Sequence, residues 1–256
     1  MVVTLTRLLA IAVLLLSGCA TQDSSKYQQK TEPERIQAWN NLASEYIRLG
    51  QYENAKRPLQ QALKINADTS ISLMLMAFVF QSQEEYRTAD KFYRKALGIA
   101  PEDSMINNNY GAFLVSRQRY TQACSYLEKA ANDPFYVQRI WALENLASCY
   151  NRSSETGRAE QTYLQLLRHS PDSPSALVEL GSIEYGRQAY GKASSYFERF
   201  SSLLRLNQAE HTPNSLYLGL LLARQYNDPG KAASYALLLK NLYPDSLEHQ
   251  RYKEAR

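Results

Sequence analysis

Small residues return along this chain at an almost fixed interval, and that interval restricts the fold more than any other feature. Ala55, Ala89, Ala123, Ala159, Ala193 and Ala232 are separated by 34, 34, 36, 34 and 39 residues. Three positions before four of them stand Tyr52, Tyr86, Tyr120 and Tyr190. Four positions after come Leu59, Tyr93, Leu127, Tyr163 and Phe197, and seven after come Ala62, Ala96, Ala130, Leu166 and Phe200. Residues at i, i+4 and i+7 share one helical face, so each unit contains an amphipathic helix. Pro101, Pro171 and Pro244 stand twelve residues beyond three of the alanines, where a helix must stop.

Each of these helices is preceded by another. Trp39, Leu42, Ala43 and Tyr46 are followed at the same interval by Leu73, Met76, Ala77 and Phe80, then by Asn107, Tyr110, Gly111 and Leu114, then by Leu143, Leu146, Ala147 and Tyr150. The fifth set is Leu177, Leu180 and Gly181 with Glu184 in the aromatic slot, and the sixth is a looser Leu218, Gly219 and Leu222. This resembles the W-x2-L-G-x2-Y pattern of the tetratricopeptide repeat, a 34-residue helix-turn-helix unit. The Gly/Ala slot marks the closest helix crossing, which a larger side chain would obstruct. The expected fold is all-α: six repeats over residues 33–247, stacked as a right-handed superhelix whose core only neighbouring repeats can complete. Residues 248–256 are left as a C-terminal tail.

The first residues read as targeting rather than fold. Arg7 precedes an apolar run from Leu8 to Leu16, too short to span a bilayer as an ordinary helix. The run ends in Leu16-Ser17-Gly18-Cys19, which resembles the lipobox of a bacterial lipoprotein signal. That resemblance implies a signal peptide at 1–18 and a diacylglycerol on the Cys19 sulfur. More than one acyl chain gives stable anchoring, at ~0.8 kcal/mol per buried methylene. Ala20, where an Asp would retain many lipoproteins at the inner membrane, favours outer-membrane delivery by the lipoprotein-sorting machinery. Residues 19–32 are polar and read as a flexible tether.

Composition narrows the function. The net charge of +4 is spread without a basic block, which argues against nucleic acid as a partner. Tyrosine, at 19 residues against 7 Phe and 2 Trp, suits half-buried helix contacts and binding surfaces. His169, His211 and His249 stand alone, and no metal, nucleophile or phosphate-loop motif is present, so neither catalysis nor a cofactor is expected. In tetratricopeptide superhelices, slots 2, 5, 9 and 12 of the first helix face the concave groove. Here those slots hold Gln37, Asn40, Ser44 and Ile47, then Ile71, Met74 and Phe78, then Met105, Asn108, Ala112 and Val115. The stretch 71–80 is apolar nearly all round, which fits either a protein-binding trough or a helix buried more completely than usual. Cys124 and Cys149 fall on neighbouring helices. They are either bridged, in an oxidising compartment, or two buried thiols acting as small apolar residues.

One stretch is more specific still. Asn107-Asn108-Asn109-Tyr110-Gly111-Ala112-Phe113-Leu114, the connector Asp133-Pro134-Phe135-Tyr136 and Ala142-Leu143-Glu144-Asn145-Leu146-Ala147-Ser148-Cys149 together resemble the PilF/PilW family of type IV pilus biogenesis lipoproteins, or pilotins. The closing Asn241-Leu242-Tyr243-Pro244-Asp245-Ser246 fits the same family. The resemblance implies an outer-membrane lipoprotein that binds subunits of the pilus secretin and promotes their localisation and multimerisation, in support of pilus assembly and twitching motility. The alternative is a lipoprotein adaptor for peptidoglycan hydrolases or outer-membrane protein assembly.

Overall fold

A computed structural model describes residues 30–255 of the chain. The signal segment 1–18, Cys19 and most of the tether lie outside the described residues. Among the described residues there are thirteen α-helices and no strand. They pair as α1 (Glu32–Arg48) with α2 (Tyr52–Ile65), α3 (Ser70–Ser82) with α4 (Tyr86–Ile99), and α5 (Ser104–Ser116) with α6 (Tyr120–Asn132). Then come α7 (Arg139–Arg152) with α8 (Thr156–His169), α9 (Pro174–Gly186) with α10 (Tyr190–Arg205), and α11 (Pro213–Gln225) with α12 (Pro229–Leu242). A short α13 (Leu247–Glu254) closes the array. Each helix packs on its hairpin partner and on the next repeat, which makes the fold an all-α superhelix of six tetratricopeptide repeats.

Local chemistry sets the ends of these helices. Thr31 and Glu34 form a capping box at the start of α1, with Pro33 in the first turn where a missing N–H costs nothing. Asp103 accepts a hydrogen bond from the Ile106 amide at the start of α5. Within every repeat the first helix ends on one residue with positive φ: Gly50, Glu84, Gln118, Ser154, Gln188 and Asn227. The next amide then reaches back five residues, as Arg119 N–H does to the Leu114 carbonyl and Glu85 N–H to Phe80, each at 2.9 Å. That is a Schellman motif, and it recurs at every hairpin.

The repeated small residues do what their spacing implies. Ala55, Ala89, Ala123, Ala159 and Ala193 are fully buried, whereas Ala232 in the last repeat, with no seventh repeat to cover it, is only half-buried. A Cβ on Gly111 would lie 2.5 Å from Leu127 Cγ, so α5 crosses α6 too closely for a methyl group. One core cluster runs without interruption from Leu73 in α3 to Leu180 in α9, and three smaller ones fill the two ends. Cys124 of α6 and Cys149 of α7 are joined by a disulfide, with Cα atoms 5.7 Å apart, tying repeat three to repeat four.

Residues 248–256 differ from the tail expected of them. Ser246 caps α13 through the His249 amide, and Tyr252 packs with Leu216, Leu220 and Leu239 while the Arg224 guanidinium sits over its ring. The last repeat leaves an apolar strip on α11 that no further repeat covers, and α13 covers it.

Candidate binding surface

The first helices of the six repeats, α1, α3, α5, α7, α9 and α11, carry the surface on which binding was expected. Ser44 is exposed there, and Ile71, Phe78, Met105, Ala112 and Val115 are half-buried. Ile71, Met105 and Val115 lean against the main core while keeping part of their apolar surface outside. Together they form an apolar strip along α3 and α5.

Three of the expected groove residues are placed differently. Met74 is only 4% exposed and belongs to the core, because α3 is apolar nearly all round and is covered on both flanks by α1 and α5. Asn40 is 4% exposed and accepts a hydrogen bond from the Ser72 hydroxyl at 2.7 Å. Asn108 is 7% exposed and accepts from the Asn145 amide at 3.0 Å. A buried carboxamide must find partners, and these two find them on the next first helix. The Asn109 amide donates to the Met105 carbonyl of its own helix.

These contacts belong to a series. Asn151 of α7 donates to Glu179 of α9 at 2.9 Å, and Asn214 of α11 donates to the other Glu179 oxygen at 2.8 Å. Polar rungs therefore join α1 to α3, α5 to α7, α7 to α9 and α9 to α11. The concave face of repeats four to six was not singled out from the sequence at all. It holds two adjoining cavities of about 630 and 720 Å³ that share Ser148, Tyr163, Glu179, Asn214 and Glu248. Their residues lie 15 to 35 positions apart in the chain, and no short motif spans such distances.

Electrostatics differ along the surface. Burial pushes the Glu179 carboxyl above the ordinary carboxylate range, against the opposing pull of the Asn214 and Asn151 hydrogen bonds. Burial also raises the Tyr163 hydroxyl, helped by the negative charge of Glu179 and Glu144. No group of three or more His, Cys, Asp and Glu suited to a metal ion occurs among the described residues, and no described helix is long and apolar enough to cross a membrane.

Comparison with known proteins agrees with this architecture. Tetratricopeptide repeat models match residues 36–69, 71–103 and 145–202. The chain is 33% identical over 240 residues to the type IV pilus assembly protein PilF of Pseudomonas aeruginosa, covering 93% of each chain. The solved structure of Pseudomonas aeruginosa PilF superposes with a TM-score of 0.78 over 89% of this chain and all of the other. That of PilW, a widely conserved type IV pilus biogenesis factor, is 28% identical and gives 0.69 over 85% of this chain and 97% of the other. With the repeat register, the fold and similarity along nearly the whole length in agreement, the chain belongs to the PilF/PilW family of tetratricopeptide-repeat type IV pilus biogenesis proteins.

Proposed function

We propose that this protein is an outer-membrane lipoprotein pilotin, which binds secretin subunits of the type IV pilus and promotes their localisation and multimerisation, so that pili assemble and twitching motility follows. The observation that carries this reading is similarity to a type IV pilus assembly protein over 93% of both chains. The repeat architecture supports a scaffold that holds another protein and performs no reaction of its own. The lipobox resemblance at Leu16-Ser17-Gly18-Cys19 supports an acyl anchor reached through the lipoprotein-sorting machinery. The passenger docks on the apolar strip of Ile71, Phe78, Met105, Ala112 and Val115, where partly exposed Phe and Met give adaptable contact area.

The test is fractionation of a deletion strain complemented with the wild-type chain or with Phe78→Asp. Loss of secretin multimers from the outer membrane on deletion is expected, with recovery by the wild type and none by a folded, membrane-bound Phe78→Asp protein. Normal secretin multimers in the deletion strain would refute the pilotin role. Recovery by Phe78→Asp would refute the strip alone.

A further inference from the structure

We propose that the concave cavity of repeats four to six is a second binding site, shaped to take an arginine side chain from an extended peptide segment. The proposal is independent of the pilotin reading, because it concerns another part of the surface and names a ligand by chemistry.

The walls come from six helices of the last three repeats and the closing element: α7, α8, α9, α10, α11 and α13. Four carboxylates line the 630 Å³ part, those of Glu144, Glu179, Glu210 and Glu248. Two exposed cations, Arg152 and Arg251, stand only on the wall of the adjoining part, so the Glu144 and Glu210 side is left without a positive partner there. Two of the acids are held in position before any ligand arrives. Asn151 and Asn214 fix Glu179, one on each oxygen, and the Ser173 and Ser175 hydroxyls donate to Glu144 at 3.3 and 3.1 Å. Each bond is to a neutral donor, so both carboxyl groups are oriented without being ion-paired.

Tyr163 is a separate observation pointing the same way. Its side chain is 3% exposed and lines both parts of the cavity, yet its hydroxyl has no hydrogen-bond partner among the described residues. The ring is what is buried, and the hydroxyl opens onto the cavity. A hydroxyl that lines a cavity between two oriented carboxylates is poised to accept from a donor brought in from outside.

The ligand must therefore bring positive charge and several N–H donors. Acceptors lie on separate helices, α7, α9 and α13, and a planar guanidinium with five donors can serve them together where a compact ammonium cannot. Val178, Phe200 and Pro213 supply an apolar wall for the methylene stem. The two parts together exceed what one side chain needs, and Ser148, Ser182 and Asn214 offer polar groups to the flanking backbone.

The test is fluorescence anisotropy on the full chain in a neutral detergent at low salt. The probes are fluorescein-labelled Gly-Arg-Gly-Arg-Gly and its Glu and Lys counterparts. The arginine peptide should bind at least about ten-fold more tightly than the glutamate peptide and several-fold more tightly than the lysine peptide. Glu144→Gln/Glu179→Gln should weaken arginine-peptide binding about ten-fold, and Tyr163→Phe a few-fold, both with unchanged helical circular dichroism. Phe78→Asp, on the other strip, should leave it unchanged. Equal affinity for the arginine and glutamate peptides, lysine binding as well as arginine, or undiminished binding by a folded double variant would each overturn the proposal. So would loss of binding in Phe78→Asp, which would place the peptide on repeats two and three.

Discussion

The six hairpin turns each place one residue in the left-handed region, as does Asn207 after α10, and only Gly50 among the seven is a glycine. An L side chain there is held against an intrinsic preference of ~1 kcal/mol or more, recovered by the two Schellman hydrogen bonds it permits. Gln118 is exposed, so replacing it by glycine relieves backbone strain without losing packing. Gln118→Gly should stabilise the protein by about 0.5–1 kcal/mol, read as a rise of a few degrees in thermal midpoint; a fall would mean the side chain makes a contact that outweighs the strain. Glu179 gives a pH signature. Its folded pKa is raised above the ordinary 4.5, so from about that pH upward the folded state retains a proton the unfolded state has released. Stability from this group is therefore lost as pH rises from 4.5 through the folded value. Glu179→Gln cannot titrate, and its urea midpoint relative to wild type should shift in its favour between pH 4 and pH 7. A difference that stays constant would show that burial does not act on this carboxyl. At this scale legibility depended on how many physical situations one residue type fits. An alanine every 34 residues has one explanation, a crossing too close for anything larger. Asn40 and Asn108 in concave slots read alike whether they await a partner's backbone or bind the next helix, and only the packed neighbours decide.

Among the elements, the hairpins were legible and the closing helix was not. Proline at 101, 171 and 244 follows the ends of α4, α8 and α12 by two residues, as the restriction on the residue before proline requires. By contrast the segment 247–254 is polar, and no earlier copy of it exists for comparison. Only His249 and Tyr252 are buried, a spacing too short to signal a helix without the surface it covers. Because Tyr252 caps Leu216 and Leu220, Tyr252→Ala should cost about 2–4 kcal/mol, lost mainly from the last repeat. Hydrogen exchange would show α11 to α13 opening earlier with repeats one to three unchanged; uniform loss of protection would contradict it. The disulfide works differently. Cys124 and Cys149 are 25 residues apart, and constraint of that loop in the unfolded chain amounts to about 3–4 kcal/mol. Cys124→Ser/Cys149→Ser should lower the denaturation midpoint accordingly and leave the helical spectrum intact. An unchanged midpoint would mean the loop is already constrained when unfolded. The connector between these cysteines is also longer than standard, as the 36-residue interval from Ala123 to Ala159 shows. It displays Phe135 and Val137 almost bare to solvent, and nothing in the structure explains their exposure.

At the scale of the molecule, a solenoid built from nearest-neighbour contacts has ends, and the ends show. Leu42 and Leu49 in the first repeat and Leu237, Leu238 and Leu242 in the last are exposed, as apolar surface is in the terminal units of a stack held by nearest neighbours. Such a body presents its surfaces in a fixed order along the chain, the apolar strip on α3 and α5 and then the acidic cavity beyond. Its position relative to the membrane depends on the anchor proposed at Cys19. Twelve residues separate Cys19 from the capping Thr31, and a chain of that length cannot reach beyond ~40 Å. An acylated molecule would therefore keep its first repeat within that distance of the bilayer, and a bound subunit with it, at an effective concentration no dilute soluble protein matches. Binding and delivery thus separate experimentally. Cys19→Ala removes the acceptor sulfur and touches no residue of the superhelix, so purified Cys19→Ala protein should bind secretin subunits with wild-type affinity. In cells it should leave the membrane fraction, and secretin multimers should disappear from the outer membrane. If secretin still arrives there in normal amount with the unanchored form, transport does not depend on the lipid, and the superhelix acts by helping the ring assemble in place.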